Sequence, residues 1–162
     1  MPQMPMPGLD LNVETSLWDR LPEAEAILGK ALAAVAGELP LRREDEICVT
    51  LTDDRKIAEL NARWRGKAKP TNVLSFPAPP SPMPGVPRHL GDVVLAFETV
   101  ESEARAQAKP IGDHVAHLMV HGTLHLLGYD HEGDDEAETM EALEVRILAK
   151  LGIADPYAVG VD

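Results

Sequence analysis

The sequence predicts a single α+β domain, with about four strands in a mixed sheet and about five helices. Three observations carry that reading. The chain has 162 residues, 44% of them apolar, enough for one core and too few for two ordinary domains, so residues 1–162 are read as one unit. Period-two apolar runs are interspersed with runs of helical period. No apolar run approaches a membrane span, so a membrane is not an expected partner. The opening MPQMPMPG has neither a basic start nor an apolar stretch. Residues 1–8 are therefore expected to be disordered, no signal peptide is read, and the expected location is the cytoplasm. The lone Cys48 excludes an intrachain disulfide and suits a packing role in a reducing compartment.

Each element has its own warrant. LDLNVE, residues 9–14, alternates as a half-buried strand. A helix follows, with Pro22 in its first turn, an Ile27, Leu28, Ala31, Leu32, Val35 stripe, and Gly37 past its end. EICVTLT, 46–52, is the second strand; Asp53 caps a helix whose stripe is Ile57, Leu60 and Trp64, and Gly66 closes it. TNVLSF, 71–76, reads as the third strand, and the proline-dense segment 77–88 as a loop that cannot continue regular pairing. GDVVLAF, 91–97, is apolar on both faces and reads as a central strand. Helices are expected from about Glu98 to the break at Pro110, from Gly112 to Leu127, and from Asp134 to Leu151, the last turning Met140, Leu143, Ile147 and Leu151 inward.

The segment HGTLHLLGYDH holds His121, His125 and His131, half of the six histidines in the chain. On a helix His121 and His125 stand about 6 Å apart along the axis and about 40° apart around it, close enough to grip one cation. His131 would lie about 15 Å beyond His121 on a straight helix, so the chain must turn back first. Gly128 sits where that turn is needed, since glycine takes a left-handed C-cap without a Cβ clash. Three imidazoles leave one position open on a zinc ion, the arrangement of catalytic sites. The helix that carries them should be buried on most of its circumference and packed centrally, with His114, His117, His121 and His125 as its polar edge.

The same spacing occurs in metzincin peptidases, which place glutamate directly after the first histidine as general base. Here that residue is Gly122, so peptide hydrolysis is disfavoured. Asp130 and Glu132 flank His131 and are better placed to orient an imidazole or face solvent than to replace that base. The formal charge of −12 argues against holding nucleic acid by global attraction. Yet Arg55, Lys56, Arg63, Arg65, Lys67 and Lys69 cluster with only Glu59 among them, a basic lobe able to meet phosphate on an acidic body.

Three blocks resemble the YbeY family of endoribonucleases, bacterial factors in ribosomal RNA maturation and ribosome quality control. HLMVHGTLHLLGYDH (117–131) is similar to the family's zinc signature, LNARWRGKAKPTNVLSFP (60–77) to its arginine and T-(D/N)-V-L-S-F-P signature, and GDVVLAFETVESEA (91–104) to the strand and helix between them. The long proline loop departs from the shorter, often acidic family linker. The resemblance implies one Zn2+ on His121, His125 and His131, with Arg65 closest to the chemistry. A guanidinium independently suits such a role, because it stays charged and can fork onto two phosphate oxygens.

The implied activity is zinc-dependent cleavage of single-stranded RNA in the maturation of 16S rRNA ends and late ribosome quality control. Lys67 and Lys69 would hold flanking phosphates. Asn72 and Ser75 would hydrogen-bond ribose or phosphate, or else serve the strand and its turn. His117, one turn before the first ligand, is either the proton carrier in the cleft or a hydrogen-bonded structural residue; His89 and His114 are read as bystanders. Expected partners are ribosomal RNA, the small ribosomal subunit, and ribosomal proteins or an assembly GTPase. The alternative is a non-catalytic ribosome-assembly factor with a structural zinc. With aromatic residues at 4%, stacking platforms for bases are expected to be scarce.

Overall fold

The computed structural model describes residues 8–41, 45–79, 89–130 and 133–157. Its strands are β1 (Gly8–Val13), β2 (Glu46–Thr52), β3 (Val73–Pro77) and β4 (His89–Ala96), and its helices α1 (Ala24–Ala36), α2 (Asp54–Arg65), α3 (Phe97–Ala106), α4 (Ile111–Leu126) and α5 (Asp134–Lys150). The sheet runs in the order β1-β2-β4-β3, with β1, β2 and β4 parallel and β3 antiparallel to β4. It is the mixed α+β sheet that the sequence predicts. Gly8, expected in the disordered start, opens β1, and Pro77, expected in the loop, ends β3. His89 opens β4 and lies 3.7 Å from Asp92.

β4 shows why its segment Val93–Ala96 is apolar at every position. Val93 and Leu95 join the main core, whereas Val94 and Ala96 join a second cluster with Ile57 and Leu74 on the opposite face. Successive side chains point to opposite faces, so a strand covered on both sides must be apolar at every position. α4 packs on the main core side, touching α1, α3, α5, β3 and β4. α2 covers the other face, where Ile57 is buried and Leu60 partly so.

A short 3-10 helix, Ser16–Arg20, was not expected. It seats Trp18, whose Nε1 donates to the Thr52 carbonyl at 2.9 Å and whose ring meets Phe97 edge-on at 5.1 Å. Asp53 caps α2 by accepting from the Lys56 N–H at 2.9 Å. The starts of α2 and α3 also cap each other. Glu98 accepts from the Asp54 N–H at 2.8 Å, and Asp54 accepts from the Thr99 N–H at 3.1 Å. These bonds satisfy helix-end donors and tie the start of α2 to the start of α3. Cys48 is half-buried, and burial, reinforced by nearby Asp92, pushes its thiol pKa up, consistent with packing. No helix among the described residues is long and apolar enough to cross a membrane.

Candidate metal centre and cleft

α4 ends as the histidine spacing requires. Gly128 has φ +101, its N–H donates to the His125 carbonyl at 3.0 Å, and the Tyr129 N–H returns to the Leu124 carbonyl at 3.0 Å. This is a Schellman turn. It also places the Tyr129 carbonyl 2.9 Å from Nδ1 of His125. That ring must donate from Nδ1, which leaves its Nε2 as the lone-pair nitrogen.

His121 is oriented from another element. Its Nδ1 lies 2.5 Å from Oε1 of Glu144 on α5. Glu144 is 0% exposed, and its Oε2 accepts from the Tyr157 hydroxyl, with Nε2 of His117 at 3.4 Å. Burial pushes the Glu144 carboxyl pKa up, but the hydrogen bonds from His117, His121 and Tyr157 outweigh it and bring the value down to about 2. Tyr157 moves the other way: burial and the adjacent carboxylate hold its phenol protonated.

With both Nδ1 atoms committed, the Nε2 atoms of His121 and His125 face each other 3.1 Å apart. Two nitrogens bound to one tetrahedral zinc at about 2.05 Å would stand about 3.3 Å apart. The donor pair therefore fits such an ion with a shift of a few tenths of an ångström. His131, the expected third ligand, lies outside the described residues, as does Glu132.

A different trio, His117, His121 and Glu144, also presents ligand atoms within 4.8 Å of one another and could hold a metal ion. The hydrogen bonds favour the first arrangement. Both Glu144 oxygens already accept from His121 and Tyr157, as a carboxylate does when it orients a metal-binding imidazole.

The histidine pair opens onto a cleft of about 790 Å³, lined among others by Arg65, Asn72, Ser75, His121, His125 and Asp130. Arg65 comes from the last turn of α2, which Gly66 ends with φ +71. Asn72 donates through Nδ2 to Glu103 at 2.9 Å, leaving Oδ1 as its acceptor, and Ser75 Oγ donates to the Gly122 carbonyl at 3.3 Å. Lys67 and Lys69 are exposed on the segment between α2 and β3, which Asn61 Nδ2 anchors through the Lys69 carbonyl at 2.9 Å. They flank the cleft in sequence and are not among its lining residues. His117 likewise lies outside the lining, turned toward Tyr157 and Glu144, with its Nδ1 buried and unpartnered. His114 is buried against Glu103 at 2.8 Å.

The sequence profile described as Endoribonuclease YbeY matches residues 12–152. The chain belongs to the YbeY family. Endoribonuclease YbeY of Azorhizobium caulinodans is 55% identical over 95% of this chain and 98% of its own length. That of a Bradyrhizobium species is 50% identical over 98% and 96%. A solution structure of TM1509 from Thermotoga maritima is 23% identical, covering 95% of this chain and 99% of its own, with a TM-score of 0.48.

In this YbeY-family chain, Gly122 occupies the position where a metzincin carries its glutamate, and the packing explains it. A Cβ there would stand 3.1 Å from Ser75 Oγ and 3.1 Å from a Val93 methyl. The position faces the sheet, so a side chain there would press on β3 and β4, a crowding that glycine avoids. Glu144 and Tyr157 were missed by sequence reasoning. Glu144 did leave a signal: it falls four residues after Met140 and three before Ile147, a carboxylate on a buried apolar stripe.

Proposed function

We propose that this chain is a zinc-dependent endoribonuclease that cleaves single-stranded RNA in the maturation of 16S rRNA ends and in late ribosome quality control. One observation supports this above all: Arg65 and the converging Nε2 atoms of His121 and His125 line the same cleft. The relatives named endoribonucleases, at 50% and 55% identity, supply the substrate class.

His121 and His125 would hold the metal through Nε2, joined by His131. A bound zinc ion would supply Lewis acidity at the phosphate. The remaining work belongs to the chain. Glu144 and the Tyr129 carbonyl hold the two imidazoles in the tautomer that presents Nε2. Arg65, exposed and permanently charged, forks onto two oxygens of the phosphate and stabilises the charge that grows there. Asn72 Oδ1 accepts from a ribose hydroxyl, and Lys67 and Lys69 hold phosphates beyond the cleft.

The test is cleavage of a ribosomal RNA fragment carrying an immature end, by native protein, Arg65→Ala and His121→Ala, each shown to be folded by circular dichroism. We expect native cleavage and a loss of about a hundredfold or more in both variants. Equal cleavage by all three would mark a contaminant. No cleavage by any, with or without ribosomal subunits, would favour the non-catalytic assembly factor.

A further inference from the structure

The two tryptophans of this chain have opposite fates. Trp18 is 3% exposed, whereas Trp64 is 64% exposed, although the helical spacing of Ile57, Leu60 and Trp64 predicts all three on one buried stripe. The stripe is buried at Ile57, half-buried at Leu60 and open at Trp64. An isolated exposed apolar residue is ordinary. This one is not isolated.

Trp64 lines the cleft that holds His121 and His125, directly before Arg65 in sequence. Phe76 of β3 braces it, with ring centroids 5.9 Å apart and planes tilted by 58°. The chain has two Trp, two Tyr and two Phe, and Trp64, Phe76 and Tyr129 all line this cleft. Around the indole, Arg63, Arg65, Lys67 and Lys69 are exposed, a local excess of positive charge on a chain of net −12. Adjacent helix residues project about 100° apart, so the two side chains can address different parts of one ligand. A π-face beside a guanidinium suits a base and its phosphate.

We propose that Trp64, braced by Phe76, is the stacking platform for an unpaired nucleobase next to the phosphate held by Arg65. The inference rests on the endoribonuclease reading and deepens it. A base inside a duplex has both faces covered by its neighbours and cannot lie on the indole; an unstacked base can. Single-strand preference thus arises at Trp64 and is indifferent to base identity, because every base has a π-face.

The test uses a 2′-O-methyl oligoribonucleotide shown by gel to stay intact during the measurement, the same strand in a duplex, and the same strand with one abasic ribose. Trp64 is the exposed indole, so the single strand should quench tryptophan emission and the duplex should not. By anisotropy of a labelled strand, Trp64→Ala should bind about 5- to 150-fold more weakly, the range expected for one lost stack, and Trp64→Phe should recover most of it. The exposed position makes both variants expected to fold, which circular dichroism would verify. Binding by Trp64→Ala within twofold of native, or equal quenching by strand and duplex, overturns the platform. Cleavage of the unmodified strand is read in parallel. If native protein cuts but Trp64→Ala binds as native does, the platform alone falls. If native protein is quenched yet never cuts, the platform stands and the endoribonuclease reading falls. If native protein has no affinity for any strand, both fall.

Discussion

Glu144 and His121 are 23 residues apart in sequence and 2.5 Å apart in space, the carboxylate fully buried and the imidazole partly buried at the edge of the cleft. Exchanging the carboxylate for an amide keeps the shape and removes the charge that fixes the tautomer. Glu144→Gln should therefore weaken metal affinity roughly 10–100-fold while leaving the fold intact. Competition against a chromophoric zinc chelator measures this directly. An unchanged affinity would point to a packing role for Glu144.

That pair also marks where sequence reasoning runs out. The turn at Gly128 was legible because helix length and three histidine positions force a reversal within a few residues. β4 was legible because burial on both faces leaves Val93–Ala96 without a polar position. Glu144 was not, because periodicity tells which face of α5 is buried and nothing about which helix that face meets. Trp64 was misplaced for a related reason. The stripe from Ile57 is continuous in sequence, but the sheet beneath α2 gives way to the cleft before the last turn. The Tyr129 carbonyl was invisible in principle, since its position follows from the cap geometry and from no side chain.

Gly122 gives a second prediction. Replacing glycine inside a helix by alanine returns about 1 kcal/mol of propensity. Here the added methyl would press on Val93, whose two methyls lie 3.1 and 3.3 Å from it and whose branched side chain has little freedom in β4. Overpacking of this kind costs about 1–3 kcal/mol. Gly122→Ala should be destabilised by about 1 kcal/mol net in urea unfolding. Gly122→Glu, which forces a carboxylate between helix and sheet, should fail to fold and should gain no peptidase activity.

Metal removal separates a catalytic ion from a structural one. The main core, from Trp18 through Leu148, is built from apolar side chains and counts no histidine among its members. Chelation should abolish RNA cleavage and leave the far-ultraviolet circular dichroism unchanged. The melting temperature should fall roughly 5–10 °C, the effect of losing a ligand held at about a hundred times its Kd. Loss of cooperative unfolding on chelation would instead assign the ion a folding role.

The stability of the protein should also fall on mild acidification, and His114 supplies the reason. It is 3% exposed, its Nε2 donates to Glu103 at 2.8 Å, and its Nδ1 is buried without a partner. A second proton would sit on that Nδ1 with nothing to accept it. Burial accordingly lowers the His114 pKa from 6.5, and although the Glu103 carboxylate pulls upward, it does not reverse the shift. Because the folded value lies below the unfolded one, the unfolded chain takes up this proton first as pH falls. Stability is complete above 6.5 and declines as pH drops through that value toward the folded one. Lys109, whose own ammonium pKa is lowered by burial, also bears on His114 by disfavouring its charged form. A neutral mimic that keeps the bond to Glu103 has no such proton to gain. His114→Gln should be less stable than native protein near neutrality, yet should lose less stability between pH 7.5 and 5.5. Urea unfolding at several pH values reads both slopes, and parallel slopes would place the acid sensitivity at another group.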